Sequence, residues 1–351
     1  MTAGPFPECP RRGAPQSLRE GSKPPAETPR GSVHESPVRH WRTRGPLARL
    51  PRLAPATSSQ PERLIEMPMR PPTREEEDTK AKLVKQYMKL LDSTGANEMS
   101  IKPFLDSNPS FIPTPWLLNH QLHFRIILPQ FALSAGLKTD YVYLTKSSTS
   151  WWCVLVEFES PTSKFFTNGT GVGVHSDLTR GLNQIDAWRD YLKQHKDTFL
   201  AELDPIRQPL NRNAVEFRYV LVMGRRAEFE NSKKKMERYA QYEMGERYKD
   251  LRIMTYDAVA SEFEYNRLTH RHTMKRKGNK FAFDRYNPDG YGEHLWTHVT
   301  KDQLVLTAAQ VARARKAGVK IDEWLAGKPL ANFGRDMARA RKKSIRRLAK
   351  A

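Results

Sequence analysis

The chain has 351 residues, with 59 Lys and Arg against 39 Asp and Glu, a formal net charge of +20. Hydrophobic residues make up 38%, below the roughly 45–50% of compact soluble chains, a range that also counts Gly, so a globular core is diluted by basic, polar segments. Two cysteines, Cys9 and Cys153, exclude a disulfide scaffold and a four-cysteine zinc site. The longest apolar run, Trp151–Val156 with Phe158, is far short of the ~20 residues that span a bilayer. Arg11 and Arg12 are followed by no apolar stretch, so no secretory signal is readable. This balance predicts a cytoplasmic protein with a polyanionic partner and no membrane contact.

Residues 1–72 hold 15 of the 25 prolines and twelve Lys/Arg against six Glu. Such a stretch buries too little apolar surface to offset its ordering entropy, and it predicts a disordered Pro/Arg-rich arm. A downstream start at Met67 or Met69 is the alternative reading. Residues 73–103 predict a helix, with acids at Glu75–Asp78 in its first turn and apolar residues at 83, 84, 87, 88, 90 and 91. Residues 104–268 alternate short strands and helices. The strands are Phe124–Leu128, Tyr141–Thr145, Trp152–Phe158, Phe217–Met223 and Arg252–Thr255; the helices are Asp177–His195 and Ser232–Glu246. That alternation predicts an α/β or α+β domain around a mixed central sheet flanked by helices. Residues 269–304 read as a basic linker. Residues 305–351 read as a basic helical region, in which thirteen Lys/Arg against three acids give +10 and Arg335–Arg347 forms one helix.

The chemistry concentrates in three pieces: Thr139-Asp140-Tyr141, Trp152-Cys-Val-Leu-Val-Glu157-Phe-Glu159-Ser-Pro161, and Leu182-Asn-Gln184-Ile-Asp-Ala-Trp188-Arg189. Alternate residues of a strand face the same way, so Glu157 and Glu159 share one face while Val154, Val156 and Phe158 fill the other. A hairpin across Lys146–Trp151 brings Asp140 beside Glu157. Three carboxylates converging at one sheet edge form an oxygen-ligand site suited to Mg²⁺ or Mn²⁺. The alternative for these glutamates is a solvated strand end, since Ser160-Pro161 takes the chain out of the sheet.

Asp140, the Glu157-x-Glu159-Ser-Pro strand, the Phe165-Phe-Thr167 segment and the Gln184-x-x-x-Trp-Arg helix resemble the nuclease domain of Shedu anti-phage defence proteins. Val222-Met-Gly-Arg-Arg226 and Ile253-Met-Thr-Tyr-Asp257 follow the same order and spacing. The resemblance covers roughly residues 104–265. It implies the PD-(D/E)xK restriction-endonuclease-like fold, a mixed four-stranded sheet flanked by helices, and a Mg²⁺-dependent endonuclease acting on DNA. Asp140 and Glu157 would hold the metal, and Glu159 would add a ligand or position water where most members carry Lys. Gln184 would sit on the helix after the catalytic strand. The upstream acid that often completes such sites falls nearest to Gln130, which is neutral. The resemblance also implies a homo-oligomer. A catalytically degenerate nucleic-acid-binding regulatory protein of the same fold is the alternative.

Lys146 and Lys164 are candidates for the missing cation, and with Arg225 and Arg226 they are the candidate DNA-phosphate contacts. Arg225 and Arg226 could equally pair with Asp257. Gly169-Thr-Gly171-Val-Gly173 lacks the Lys-Ser/Thr ending of a phosphate loop and reads as a plain loop. Trp188, in register with Leu182, Ile185 and Leu192, reads as core, and His270 and His272 as solvated residues flanking Arg271.

Overall fold

The computed structural model of the chain describes residues 74–330, apart from 119–124, 170, 245–247, 266–270, 289–294 and 329. The arm expected over 1–72 and the helix expected over Arg335–Arg347 lie outside the described residues. The most apolar stretches of the sequence lie at the centre. β2 (Tyr141–Lys146) and β3 (Ser150–Phe158) pair antiparallel, with Tyr141 opposite Val156 and Lys146 opposite Trp151. All six residues of β2 are buried, as a strand covered on both faces requires. β4 (Ala214–Val222) runs parallel to β3, and β5 (Leu251–Met254) parallel to β4. A parallel return needs a crossover, and α3 (Ser176–Arg207) supplies the first one. α4 (Lys233–Met244) lies between β4 and β5 in sequence.

On the far side of β2, β1 (Ile126–Pro129) pairs antiparallel and then carries β6 (His272–Lys277) in parallel. β7 (Lys280–Arg285) and the two-residue β8 (Leu304–Val305) complete an eight-stranded mixed sheet of order β5-β4-β3-β2-β1-β6-β7-β8. The α/β reading therefore holds, with a sheet twice as wide as the four strands the resemblance implies.

The segment 269–304 is corrected from a linker to part of the sheet. Met274, Phe281 and Phe283 are buried, while the cations Lys275–Lys277 sit on the exposed end of β6. Those cations mask the apolar pattern. Lys277 pairs with Lys280 across a two-residue loop in which Gly278 has φ +61°, the conformation a tight hairpin demands and glycine tolerates. The helix α6 (Leu295–His298) follows, then α7 (Ala308–Lys316) and α8 (Ile321–Leu325). The start of the basic region 305–351 is thus packed structure. Ile321 and Trp324 are buried, and the Trp324 Nε1–H donates to the Val299 carbonyl at 2.7 Å.

Helices cover both faces. Val142, Leu144, Cys153 and Leu155 share a core with Ile185, Trp188 and Leu192 of α3. Tyr141, Tyr143, Val154 and Val156 share the opposite one with α1 (Arg74–Leu91), α2 (Glu98–Ser107) and α5 (Tyr256–Tyr265). Each fully buried aliphatic or aromatic side chain here contributes on the order of 1.5–3 kcal/mol, so the central strands can carry polar groups at their ends. A Cβ on Gly181 would come within 2.9 Å of Leu221 Cδ2, so α3 approaches β4 this closely because position 181 is glycine. Among the described residues no helix is long and apolar enough to cross a membrane.

Candidate active site

The carboxyl end of β3 turns from apolar to acidic where the parallel strands β3 and β4 end together, the edge at which open α/β sheets commonly bind ligands. Glu157 follows Cys153 and Leu155 on the α3 side, and Phe158 fills the other core. The Glu159 N–H donates to the Val222 carbonyl at 2.8 Å, so strand geometry continues one residue past β3 and the two glutamates share a face. The register that sets Tyr141 against Val156 continues to place Asp140 beside Glu157, as the hairpin reading expects. Asp140 Oδ2 accepts the Phe158 N–H at 2.9 Å, tying this carboxylate to the end of β3.

The first turns of α3 lie over this edge. Arg180 and Gln184, four residues apart, share one helix face. The Gln184 Nε2 amide donates to Glu157 Oε1. The Arg180 guanidinium lies 3.1 Å from Glu159 Oε2 and 3.4 Å from Asp177 Oδ1. From the opposite layer, the Tyr256 hydroxyl donates to the Glu159 carbonyl.

Besides Arg180, two participants escaped the sequence reading, Glu98 and Lys102 of α2. This helix begins at an Asn97–Ser100 capping box, in which the Asn97 side chain accepts the Ser100 N–H and the Ser100 hydroxyl accepts the Asn97 N–H. The cap sets Glu98 at the helix start, and Lys102 follows one turn later. The Lys102 Nζ is 3.3 Å from Asp140 Oδ1 and 4.8 Å from the Tyr141 ring centroid. Glu98 is close enough for Asp140 and Glu159 to act on its carboxyl. Gln130 meets Asp140 only through its backbone N–H, which donates to the Asp140 carbonyl at 2.7 Å, and its own side chain is exposed. The Asn97-x-x-Ser100 cap was the legible signal for a helix starting here.

Burial pushes the Glu157 carboxyl up to about 9, with Asp140, Glu159 and Glu98 adding repulsion in that order and the Gln184 amide opposing them. Glu157 is therefore neutral at pH 7 when no cation compensates it. Glu98 is also raised, by burial first and then by Asp140 and Glu159, against the pull of Lys102. Four carboxylates thus feel one another in one partly buried place. Glu157 Oε2 is buried without a hydrogen-bond partner.

Hard dications take oxygen ligands, and this cluster supplies that donor type together with one unpartnered buried oxygen. The expected convergence is nevertheless incomplete. Among the described residues no three His, Cys, Asp or Glu side chains form a ready metal cage. The physical reason is local, because Lys102 occupies Asp140 and Arg180 occupies Glu159.

The expected phosphate contacts separate. Lys146 lies at the opposite end of β2 from Asp140, about 20 Å away at ~3.3 Å per residue. It is buried, and its ammonium donates to the Ser147 carbonyl at 2.6 Å, so it cannot supply the missing cation. Lys164 is exposed and borders the cluster: its N–H donates to Asp177 Oδ2 at 3.0 Å. Arg225 is an ion-pair residue, 3.0 Å from both Asp257 and Asp92. The Arg226 side chain is exposed, and its N–H donates to Asp257 at 2.7 Å. Trp188 is core, as expected. His272 is not solvated but buried against Phe283 and Tyr286, with Nδ1 accepting the Asn287 N–H.

Residues 95–259 match the family described as "Shedu protein SduA, C-terminal". The chain matches no curated protein. The matched segment begins early enough to include α2, and with it Glu98 and Lys102, which the expected boundary at 104 cut off.

Proposed function

As this chain is a Shedu-family protein through its residues 95–259, a membership that links it to anti-phage defence, we propose that the carboxylate cluster is the active site of a metal-dependent DNA endonuclease. The observation that carries the reading is the grouping of Asp140, Glu157, Glu159 and Glu98 at the strand ends with a buried, unpartnered Glu157 oxygen. Asp140 and Glu157 would hold Mg²⁺ or Mn²⁺, with Glu98 and Glu159 within reach of the same charge. A bound dication would polarise the phosphodiester and lower the pKa of an attacking water.

The chain's own residues would do the rest. Gln184 orients Glu157 through its amide. Glu159 accepts a proton from water or adds an oxygen ligand. Lys102 stands where it can donate to a phosphate oxygen, the task for which Glu159 is unsuited when ionised. Arg180, 59% exposed, and exposed Lys164 offer positive charge at the rim to the DNA backbone.

The ion pairs that hold Asp140 and Glu159 favour a second reading, a nucleic-acid-binding protein that does not cleave. Plasmid nicking with Mg²⁺ or Mn²⁺ separates the two. The nuclease reading expects nicking that needs the dication, is lost in Glu157→Gln, and falls at least about 100-fold in kcat in Lys102→Met, the typical share of one positioned acid–base or electrostatic group. Duplex binding without nicking by the wild type at every pH from about 6 to 9 would leave only the second reading, since that window starts above the usual carboxylate values and reaches the raised Glu157.

A further inference from the structure

A cavity of about 670 Å³ opens away from the carboxylates, between α1, the end of α2 and the segment 271–313. Most of its wall comes from outside the family-matched stretch, so it belongs to the way this chain's C-terminal strands and helices fold back onto its first helices. Its volume falls within the ~300–1,000 Å³ of small-molecule sites. Among the described residues four cations line it, Lys80, Arg271, Arg285 and Arg313, against two carboxylates, Glu75 and Glu76 in the first turn of α1.

Three of those cations argue for an anionic occupant. Arg271 is 1% exposed. Its guanidinium is spent on neutral acceptors, with Nη2 donating to Thr114 Oγ1 at 2.7 Å and Nη1 to the Ile112 carbonyl, while Nε is buried without a partner. The one carboxylate that acts on it, Glu262, already accepts the Thr114 N–H. Burying a guanidinium this way is costly unless further negative charge lies close. The guanidinium of Arg285, exposed at the end of β7, makes no hydrogen bond or ion pair among the described residues. Arg313, on α7, reaches only the Tyr286 carbonyl among the described residues, at 3.5 Å. Two planar, exposed guanidiniums from separate elements, lining one cavity with a buried third, offer the bidentate geometry that phosphate oxygens accept.

We propose that this cavity is a binding site for a small polyphosphate anion, either an inorganic diphosphate or the polyphosphate of a nucleotide. Arg285 and Arg313 grip the phosphates and Arg271 supplies positive charge from beneath. The site is independent of the nuclease reading.

Calorimetric titration of the full chain tests it, with sodium pyrophosphate and with ATP, in EDTA and at constant ionic strength so that the carboxylates hold no metal. Saturable binding of one equivalent is expected. Replacing both exposed arginines, Arg285→Ala with Arg313→Ala, should weaken it by at least about tenfold, the loss for one or more charge-assisted hydrogen bonds. Both side chains are exposed, so an unchanged melting temperature without ligand checks that the variant folds. Arg238→Ala, on the exposed face of α4, removes the same charge elsewhere and should leave affinity unchanged. Equal affinity for the two probes would assign the phosphates alone, and tighter ATP binding would add the nucleoside. Absence of saturable binding by both probes, or equal weakening in the Arg238 control, would overturn the proposal.

Discussion

Glu157 carries opposing demands at the end of a strand whose neighbours are core. Desolvation acts against its charge, and three other carboxylates act in the same direction. A raised acid makes the folded state relatively most stable below its unfolded pKa, and this contribution is lost as pH climbs through the folded value. Metal-free protein should therefore lose melting temperature between about pH 4.5 and about pH 9. Glu157→Gln mimics the protonated acid, keeps a partner for Gln184 and has no charge to desolvate. Its melting curve should exceed that of the wild type increasingly as pH rises through this window. A constant difference across the window would mean that Glu157 ionises freely. Mg²⁺ should reverse the wild-type trend, since a dication favours the ionised forms.

At the scale of elements, α3 and α2 converge on one strand end, and each depends on a local device. Gly181 lets α3 lie against Leu221, and Arg180 and Gln184 ride on the same helix. Gly181→Ala would normally favour a helix by up to ~1 kcal/mol, but here its Cβ would meet a buried leucine at 2.9 Å. Overpacking of this kind costs about 1–3 kcal/mol, so the clash should win. Denaturant unfolding should show a net loss of stability, with a fall in nicking because Gln184 moves with the helix. A stabilised variant would mean that Leu221 simply turns away. α2 joins two regions: its first two turns bring Glu98 and Lys102 to the carboxylates, and Ser107 at its other end lines the cationic cavity. Ten residues at ~1.5 Å each separate the two by about 15 Å.

Across the whole molecule, positive charge gathers toward the C-terminal end of the sequence. Ile321, Trp324 and Leu330 are in the core, whereas residues 331–351 hold eight Lys/Arg against one Asp, +7 of the total +20. Ending the chain after Leu330 keeps these core residues and should make duplex binding less steep in salt, by about one power of ten in affinity per tenfold salt for each phosphate that the shortened chain no longer neutralises. Ending it near Leu304 should unfold the C-terminal layer, because Trp324 packs on Trp296 at 5.1 Å and its N–H is bonded to Val299. An unchanged salt slope after the first truncation would show that the terminal cations do not meet phosphate.

The strands β2 and β3, the long helix after them and the pairing of Asp140 with Glu157 were legible in the sequence, because each follows from short-range periodicity and one hairpin. The family likeness rested on the same local motifs. Strands β6 and β7 were not legible, since Lys275, Arg276 and Lys277 interrupt an apolar pattern that only pairing with β1 makes sense of. Glu98 and Lys102 could not be assigned either, although their helix cap was readable. They lie some forty residues before Asp140, and only packing of α2 on Tyr141 and Val154 brings them to it. Local pattern therefore determined which acids share a strand face. Long-range packing decided which cations neutralise them and which fourth carboxylate joins, because charge partners are chosen by distance in space, and no periodicity along the chain encodes that.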